Sequence, residues 1–120
     1  MTEQKEKPIK VLMVCALGMS SSLLENKTKA AAAARGIPFE LKAVSVQEVA
    51  RWDPSIHWYD IVLIAPQVFY KRKAITETAK RYGILVESIE PVVFGMVDGE
   101  KLLQQILDAI QARDEEKAAE

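Results

Sequence analysis

Two apolar runs constrain this chain most. Ile9 to Cys15 (IKVLMVC) and Asp60 to Ala65 (DIVLIA) are each of strand length, and neither alternates apolar with polar residues as a half-exposed strand does. Runs of this kind suit strands covered on both faces. The stretches around them supply the cover. Ser22 with Glu25 three residues later has the form of a capping box, and Leu23, Leu24, Ala30, Ala31 and Ala34 recur at helical spacing, which predicts a helix ended by Gly36 and Pro38. Phe39 to Val46 (FELKAVSV) alternates, as a strand at a sheet edge would. Gln47 to Trp52 is expected as a short helix and Asp53-Pro54-Ser55 as a turn.

The second buried run stops at Pro66, after which Val68, Ile75, Ala79 and Tyr82 predict a helix closed by Gly83. Ile84 to Ile89 (ILVESI) is expected as the fourth strand and Glu90 to Val97 as a loop. Asp98 is a natural N-cap for a last helix that carries Leu102, Leu103, Ile106, Leu107 and Ile110. Strand and helix thus alternate four times, which implies an α/β protein with a parallel sheet, helices on both faces and right-handed crossovers. In such folds a ligand sits beyond the carboxyl ends of the strands, near the point where strand order reverses. Cys15 is the last residue of the first predicted strand.

With 120 residues the chain is one domain in size, expected over residues 9–112 with polar, flexible tails at 1–8 and 113–120. Its 16 basic and 17 acidic residues create no broad field for phosphate backbones or anionic lipid, so a nucleic-acid partner is not expected. No apolar run is long enough to span a bilayer, and the opening Met-Thr-Glu-Gln-Lys-Glu-Lys has no apolar core of a signal peptide, so a cytoplasmic protein is expected. One Cys and one His cannot form an internal disulfide or a four-ligand metal site of the usual kind, and no metal or other cofactor is expected.

The lone thiol is followed by Ala-Leu-Gly-Met-Ser-Ser-Ser, a glycine-and-serine loop that opens a helix. A helix N-terminus presents main-chain N–H groups with no intrahelical acceptor, and these favour a thiolate and a phosphoryl group attached to it. Gly18 permits the positive φ that a loop curling its N–H groups inward requires, and Ser20, Ser21 and Ser22 add hydroxyl donors. Free cysteine at a strand end is also a common packing residue, and spacing alone leaves both readings open. The polar loop and the capping signal directly downstream favour a phosphate cradle with a nucleophile at its base. A Walker-type nucleotide loop is excluded because no Gly-Lys-Ser/Thr follows.

These residues resemble a family. Cys-Ala-Leu-Gly-Met-Ser-Ser-Ser-Leu-Leu is similar to the phosphorylation loop of enzyme IIB components of the bacterial sugar phosphotransferase system, in the lactose, cellobiose and chitobiose class. Ala-Pro-Gln-Val-Phe-Tyr (65–70) resembles the family's Gly-Pro-Gln segment after the third strand, with Ala65 where Gly is usual, and Phe-Gly-Met-Val-Asp-Gly (94–99) resembles its turn into the last helix. The matches fall in the family's order over about residues 9–110. The resemblance implies a three-layer, flavodoxin-like or Rossmann-like fold with a four-stranded parallel sheet of order 2-1-3-4. It also implies a relay in which a histidine-phosphorylated IIA protein donates to Cys15. Cys15 then passes the group to a sugar of β-disaccharide type held by the membrane component IIC. Carried onto this chain, Ala16, Leu17, Gly18, Met19, Ser20, Ser21 and Ser22 bind the phosphate, and Pro66 and Gln67 lie beside the loop.

The low-molecular-weight tyrosine phosphatases are the main rival, since they use a similar cysteine loop on a similar sheet. Their loop has Arg six residues after the Cys, where this chain has Ser21. That Arg clamps the phosphoryl group in two-pronged fashion in the transition state, and serine cannot replace it. A phosphatase also needs a general acid, and the one Asp-Pro pair, Asp53-Pro54, precedes the third strand rather than lying in a late loop. An arsenate reductase would need further cysteines. A non-catalytic, anion-binding regulatory module is the third alternative. Elsewhere, His57 is expected in a surface loop, Trp52 and Trp58 over one end of the core, Lys71-Arg72-Lys73 on a solvated helix face, and Met13 and Met96 in packing.

Overall fold

A computed structural model describes residues 7–16 and 19–119. The first apolar run forms β1 (Ile9–Cys15) and the second forms β3 (Ile61–Ile64). Between and after them lie β2 (Phe39–Ser45) and β4 (Leu85–Ser88). The four strands make one parallel sheet of order β2-β1-β3-β4. The two uninterrupted runs therefore occupy the two central positions, where Val11 to Cys15 and Ile61 to Ile64 are all buried. The alternating segment, β2, takes an edge, with Glu40 and Lys42 exposed and Leu41 and Val44 buried.

The helices are α1 (Met19–Ala34), α2 (Val46–Val49), α3 (Arg72–Lys80), α4 (Pro91–Gly95) and α5 (Gly99–Ala119), with a 3-10 helix at Pro66–Lys71 leading into α3. Their placement on the two faces follows from β4. Gln105 of α5 donates to the Glu87 carboxylate at 3.2 Å, while Arg72 of α3 donates to the hydroxyl of Ser88 at 2.6 Å. Successive strand residues point to opposite faces, so α5 and α3 cover opposite sides of the sheet. α1 packs against α5 through Ala31, Ala32 and Leu103, on the α5 side.

Several local expectations are corrected. α1 begins at Met19, so Ser22 lies within its first turn and cannot be its N-cap; Glu25 instead accepts from Lys29 at 2.9 Å, one turn further on. The segment 90–97, expected as a loop, contains α4. Pro91 at its first position has a preset φ and no N–H to lose, and Val93 and Phe94 are buried. α4 closes with Val97 N–H on the Phe94 carbonyl (3.2 Å) and Asp98 N–H on the Val93 carbonyl (3.0 Å). That closure holds Val97 at φ +53, a conformation that costs a non-glycine residue about 1–2 kcal/mol. Met96, expected in packing, is 74% exposed.

Asp98 caps α5 as expected, its carboxylate accepting from Lys101 N–H at 3.1 Å. α5 runs to Ala119, so residue 112, taken from the sequence as the end of the domain, falls inside a helix, and 113–119, expected as a flexible tail, continue it. Arg113 is held there by Asp60, at 3.4 Å. Residues 1–6 and 120 of the expected tails lie outside the described residues.

Candidate active site

In the order β2-β1-β3-β4 the chain leaves β1 to one side for β2 and returns to the other side for β3. The carboxyl ends of β1 and β3 therefore flank the point where strand order reverses. Cys15 ends β1 there, and the main chain of the neighbouring strand is close: Ala65 N–H donates to the Val14 carbonyl at 2.9 Å. Pro66 and Gln67 follow that rung directly in the chain. Pro66 opens the 3-10 helix and is half-buried, and Gln67 is exposed.

On the other side Cys15 stands in register with Ser45, and its Sγ donates to the Val44 carbonyl at 3.5 Å. Cys15 is 1% exposed. Immediately beyond, Ser45 and Glu48 form a capping box on α2. Glu48 N–H donates to the Ser45 hydroxyl (3.2 Å) and Ser45 N–H donates to the Glu48 carboxylate (2.9 Å). This box and the Val44 carbonyl were missed in the sequence. The signal was present, since Ser45-Val46-Gln47-Glu48 has the same S-x-x-E form as Ser22 to Glu25.

Of the residues expected to hold phosphate, Ala16 is exposed directly after Cys15. Leu17 and Gly18 lie outside the described residues, as do the side chains of Met19 and Ser20, which open α1. Ser21 is buried at 6% exposure and Ser22 is exposed. The start of α1 thus follows Cys15 by four residues, and in a helix of 16 residues that start is the positive end of the dipole. Such an end stabilises a dianionic group on sulfur without any side-chain cation.

The remaining titratable candidates lie elsewhere. Asp53 accepts from the Ser55 hydroxyl at 2.7 Å and from its N–H at 3.0 Å, and these bonds, the hydroxyl foremost, hold its carboxyl below the usual carboxylate range. A carboxyl kept ionised in this way is a poor proton donor to a leaving group. His57 is exposed in the following turn, where its carbonyl accepts from Trp52 Nε1 at 2.6 Å. Trp52 packs on the core edge with its ring centroid 6.1 Å from that of Tyr59, whereas Trp58 is 40% exposed. In the basic triplet, Lys71 and Arg72 are half-buried and only Lys73 is exposed, so it is not a uniformly solvated face.

A four-stranded parallel sheet of this order, with a buried thiol at the end of its first strand and a helix opening four residues later, defines a class of α/β proteins with a cysteine at the carboxyl end of the first strand. Comparison with known proteins narrows the class. Residues 10–105 match the family described as the phosphotransferase system lactose/cellobiose-specific IIB subunit, and the chain belongs to that family. It is a IIB component of the sugar phosphotransferase system, and so a phosphotransferase. The chain is 39% identical over 98 residues to the oligo-β-mannoside-specific EIIB component of Bacillus subtilis strain 168, covering 82% of this chain and 92% of that one. It is 30% identical over 95 residues to the cellobiose-specific EIIB component of Lactococcus lactis subsp. lactis, covering 78% and 88%. The solution structure of a cellobiose-specific IIB component from Borrelia burgdorferi superposes with a TM-score of 0.71 at 28% identity, over 91% of this chain and 97% of that one. The fold is shared too by the lactose-specific IIB domain of Streptococcus pneumoniae (TM-score 0.73, 23% identity, 85% and 97% covered).

Proposed function

We propose that Cys15 is the phosphorylated residue of this protein, taking a phosphoryl group from a phosphohistidine of a IIA protein and giving it to a sugar held by a membrane IIC protein. The observation that carries this reading is the position of Cys15: the only cysteine of a IIB-family chain, at the carboxyl end of β1 where the sheet's strand order reverses. In the first transfer the thiolate sulfur attacks phosphorus, the phosphorus–nitrogen bond breaks, and the imidazole nitrogen keeps the electron pair and takes up a proton. In the second a sugar hydroxyl oxygen attacks, the sulfur–phosphorus bond breaks with its electron pair returning to sulfur, and the hydroxyl proton passes to solvent. The N–H groups and hydroxyls of Ala16 to Ser22 hold the phosphate oxygens throughout, and Pro66 and Gln67 border the incoming partner.

Two features of the chain favour a relay over a phosphatase. Ser21 stands where a phosphatase loop has its arginine, and Asp53 is held ionised away from the thiol. A phosphocysteine without a clamp on the transition state or an acid for the leaving group hydrolyses slowly and waits for a sugar. The carboxyl end also offers apolar surface for partners: Phe69 and Tyr70 after β3, and Val92 after β4, are each more than half exposed. IIA and IIC dock there in turn, with the protein in the cytoplasm and peripherally attached to IIC. Among the described residues no helix is long and apolar enough to cross a membrane. Relatives named for oligo-β-mannoside and cellobiose support a β-disaccharide-type sugar as the acceptor.

The test follows the fate of the phosphoryl group. Phosphorylated protein kept in buffer should retain it, and adding vesicles that carry IIC with a β-disaccharide should discharge it with an equal amount of sugar phosphate formed. Rapid release as inorganic phosphate, or Cys15-dependent hydrolysis of aryl phosphates at rates typical of dedicated phosphatases, would contradict the relay.

A further inference from the structure

β4 is an edge strand, and the main-chain groups on its free side are identified by its pairing. Leu85 N–H donates to the Asp60 carbonyl (3.1 Å) and Ile89 N–H to the Ile64 carbonyl (2.9 Å), so alternate residues from 85 face β3. Val86 and Ser88 therefore face away from the sheet. A free edge of this kind pairs readily with another strand unless something covers it. On β2, the other edge, the exposed charges of Glu40 and Lys42 serve that purpose. β4 has no lysine and no proline, and its four residues are all half-buried rather than exposed.

Its cover comes from two side chains, one from each helical layer. Arg72 at the start of α3 donates through Nη2 to the Val86 carbonyl at 3.4 Å and through Nη1 to the Ser88 hydroxyl at 2.6 Å. Gln105 of α5 donates through Nε2 to the Ser88 carbonyl at 3.0 Å and to the Glu87 carboxylate at 3.2 Å. Both outward carbonyls of the strand are thus taken. The two side chains sit at the wall of an open groove of about 690 Å³ that also includes Glu90 and Lys101.

We propose that Arg72 and Gln105 form a latch on the free edge of β4, and that what the latch excludes is the β4 edge of a second copy of this chain. The second copy fits because a strand-to-strand pair about a two-fold axis matches each outward N–H of one β4 with an outward carbonyl of the other. With Arg72 and Gln105 standing over both outward carbonyls, a second strand reaches those acceptors only by displacing the two side chains.

The test is self-association of the Arg72→Ala/Gln105→Ala variant by sedimentation, with amide exchange at residues 86 and 88. The variant should associate on the order of tenfold more tightly than the unaltered chain, with the Val86 and Ser88 amides protected in the associated form. Adding Val86→Pro removes one outward N–H without touching the bonds to β3, and should reverse the association. Should the alanine pair fail to fold, Arg72→Met/Gln105→Met keeps the aliphatic bulk over the edge and is read in the same way. A folded variant that associates no more than the unaltered chain overturns the proposal. So does association that Val86→Pro leaves intact, since the contact then lies elsewhere.

Discussion

At the amino end of the sheet one residue, Asp60, ties together β1, β3, β4 and α5, whereas at the carboxyl end the connections of Cys15 among the described residues are few and mostly main-chain. The Asp60 carboxylate accepts from Lys10 N–H (2.9 Å) and from Arg113 (3.4 Å), its N–H donates to the Lys10 carbonyl (2.8 Å) and its carbonyl accepts from Leu85 N–H (3.1 Å). Lys10 Nζ adds a contact 5.7 Å from the Tyr59 ring centroid. At the other end, among the described residues, the thiol has one long bond to a carbonyl, α2 is a single turn held by its capping box, and the apolar side chains of Phe69 and Tyr70 face solvent. The difference teaches how the fold divides its work. The better-tied end lies away from Cys15, and the end proposed to meet IIA and IIC is more lightly tied, as functional loops on rigid scaffolds generally are.

Substitutions at the two ends can break that division. Asp60→Ala should cost the most, about 3 kcal/mol, because it orphans a half-buried N–H and leaves the mostly buried Arg113 guanidinium with only the exposed Asp114 at 3.1 Å, and denaturant unfolding should show it while phosphotransfer by the folded protein stays intact. Gly99→Ala should follow, at about 2 kcal/mol. A methyl there would lie 2.5 Å from the Lys27 carbonyl carbon, so α5 must move off α1. Ser45→Ala removes the cap of α2 next to the thiol and should cost about 1 kcal/mol, with a larger relative effect on phosphotransfer than on stability. Ser22→Ala should change stability by less than about 0.5 kcal/mol, since Ser22 is exposed inside α1 and caps nothing. If Ser22 proves more costly than Ser45, the assignment of the two serines is reversed.

That pair of serines also marks what the sequence discloses. Both begin an S-x-x-E pattern, and only the fold shows which one precedes a helix: α1 starts three residues before Ser22, so the pattern there is incidental. The buried runs were legible because continuous β-branched and apolar residues have one comfortable place in an α/β sheet, its centre. Cys15 was legible from its place at a strand end before a glycine-and-serine loop, and the Pro66-Gln67 segment through the resemblance; the sheet sets Ala65 N–H on the Val14 carbonyl at 2.9 Å, next to both in sequence. The capping at Asp98 was legible because it is local. What escaped depends on contacts distant in sequence. α5 continues past 112 with Arg113 paired to Asp60, 53 residues away, and Arg72 and Gln105 meet β4 from opposite faces. α4 escaped because five residues carry too little periodicity to stand out, and Met96 because an exposed methionine looks in sequence like a packed one.

The most direct measurement of the central claim is the location of the phosphoryl group. The protein, incubated with a phosphorylated IIA, is digested and its peptides weighed, alongside Cys15→Ser and Asp60→Ala. A phosphoryl mass gain confined to the peptide bearing Cys15, absent in Cys15→Ser and retained in folded Asp60→Ala, is the result expected here. A gain on another residue, or its persistence in Cys15→Ser, would contradict the assignment of phosphotransfer to the carboxyl end of β1.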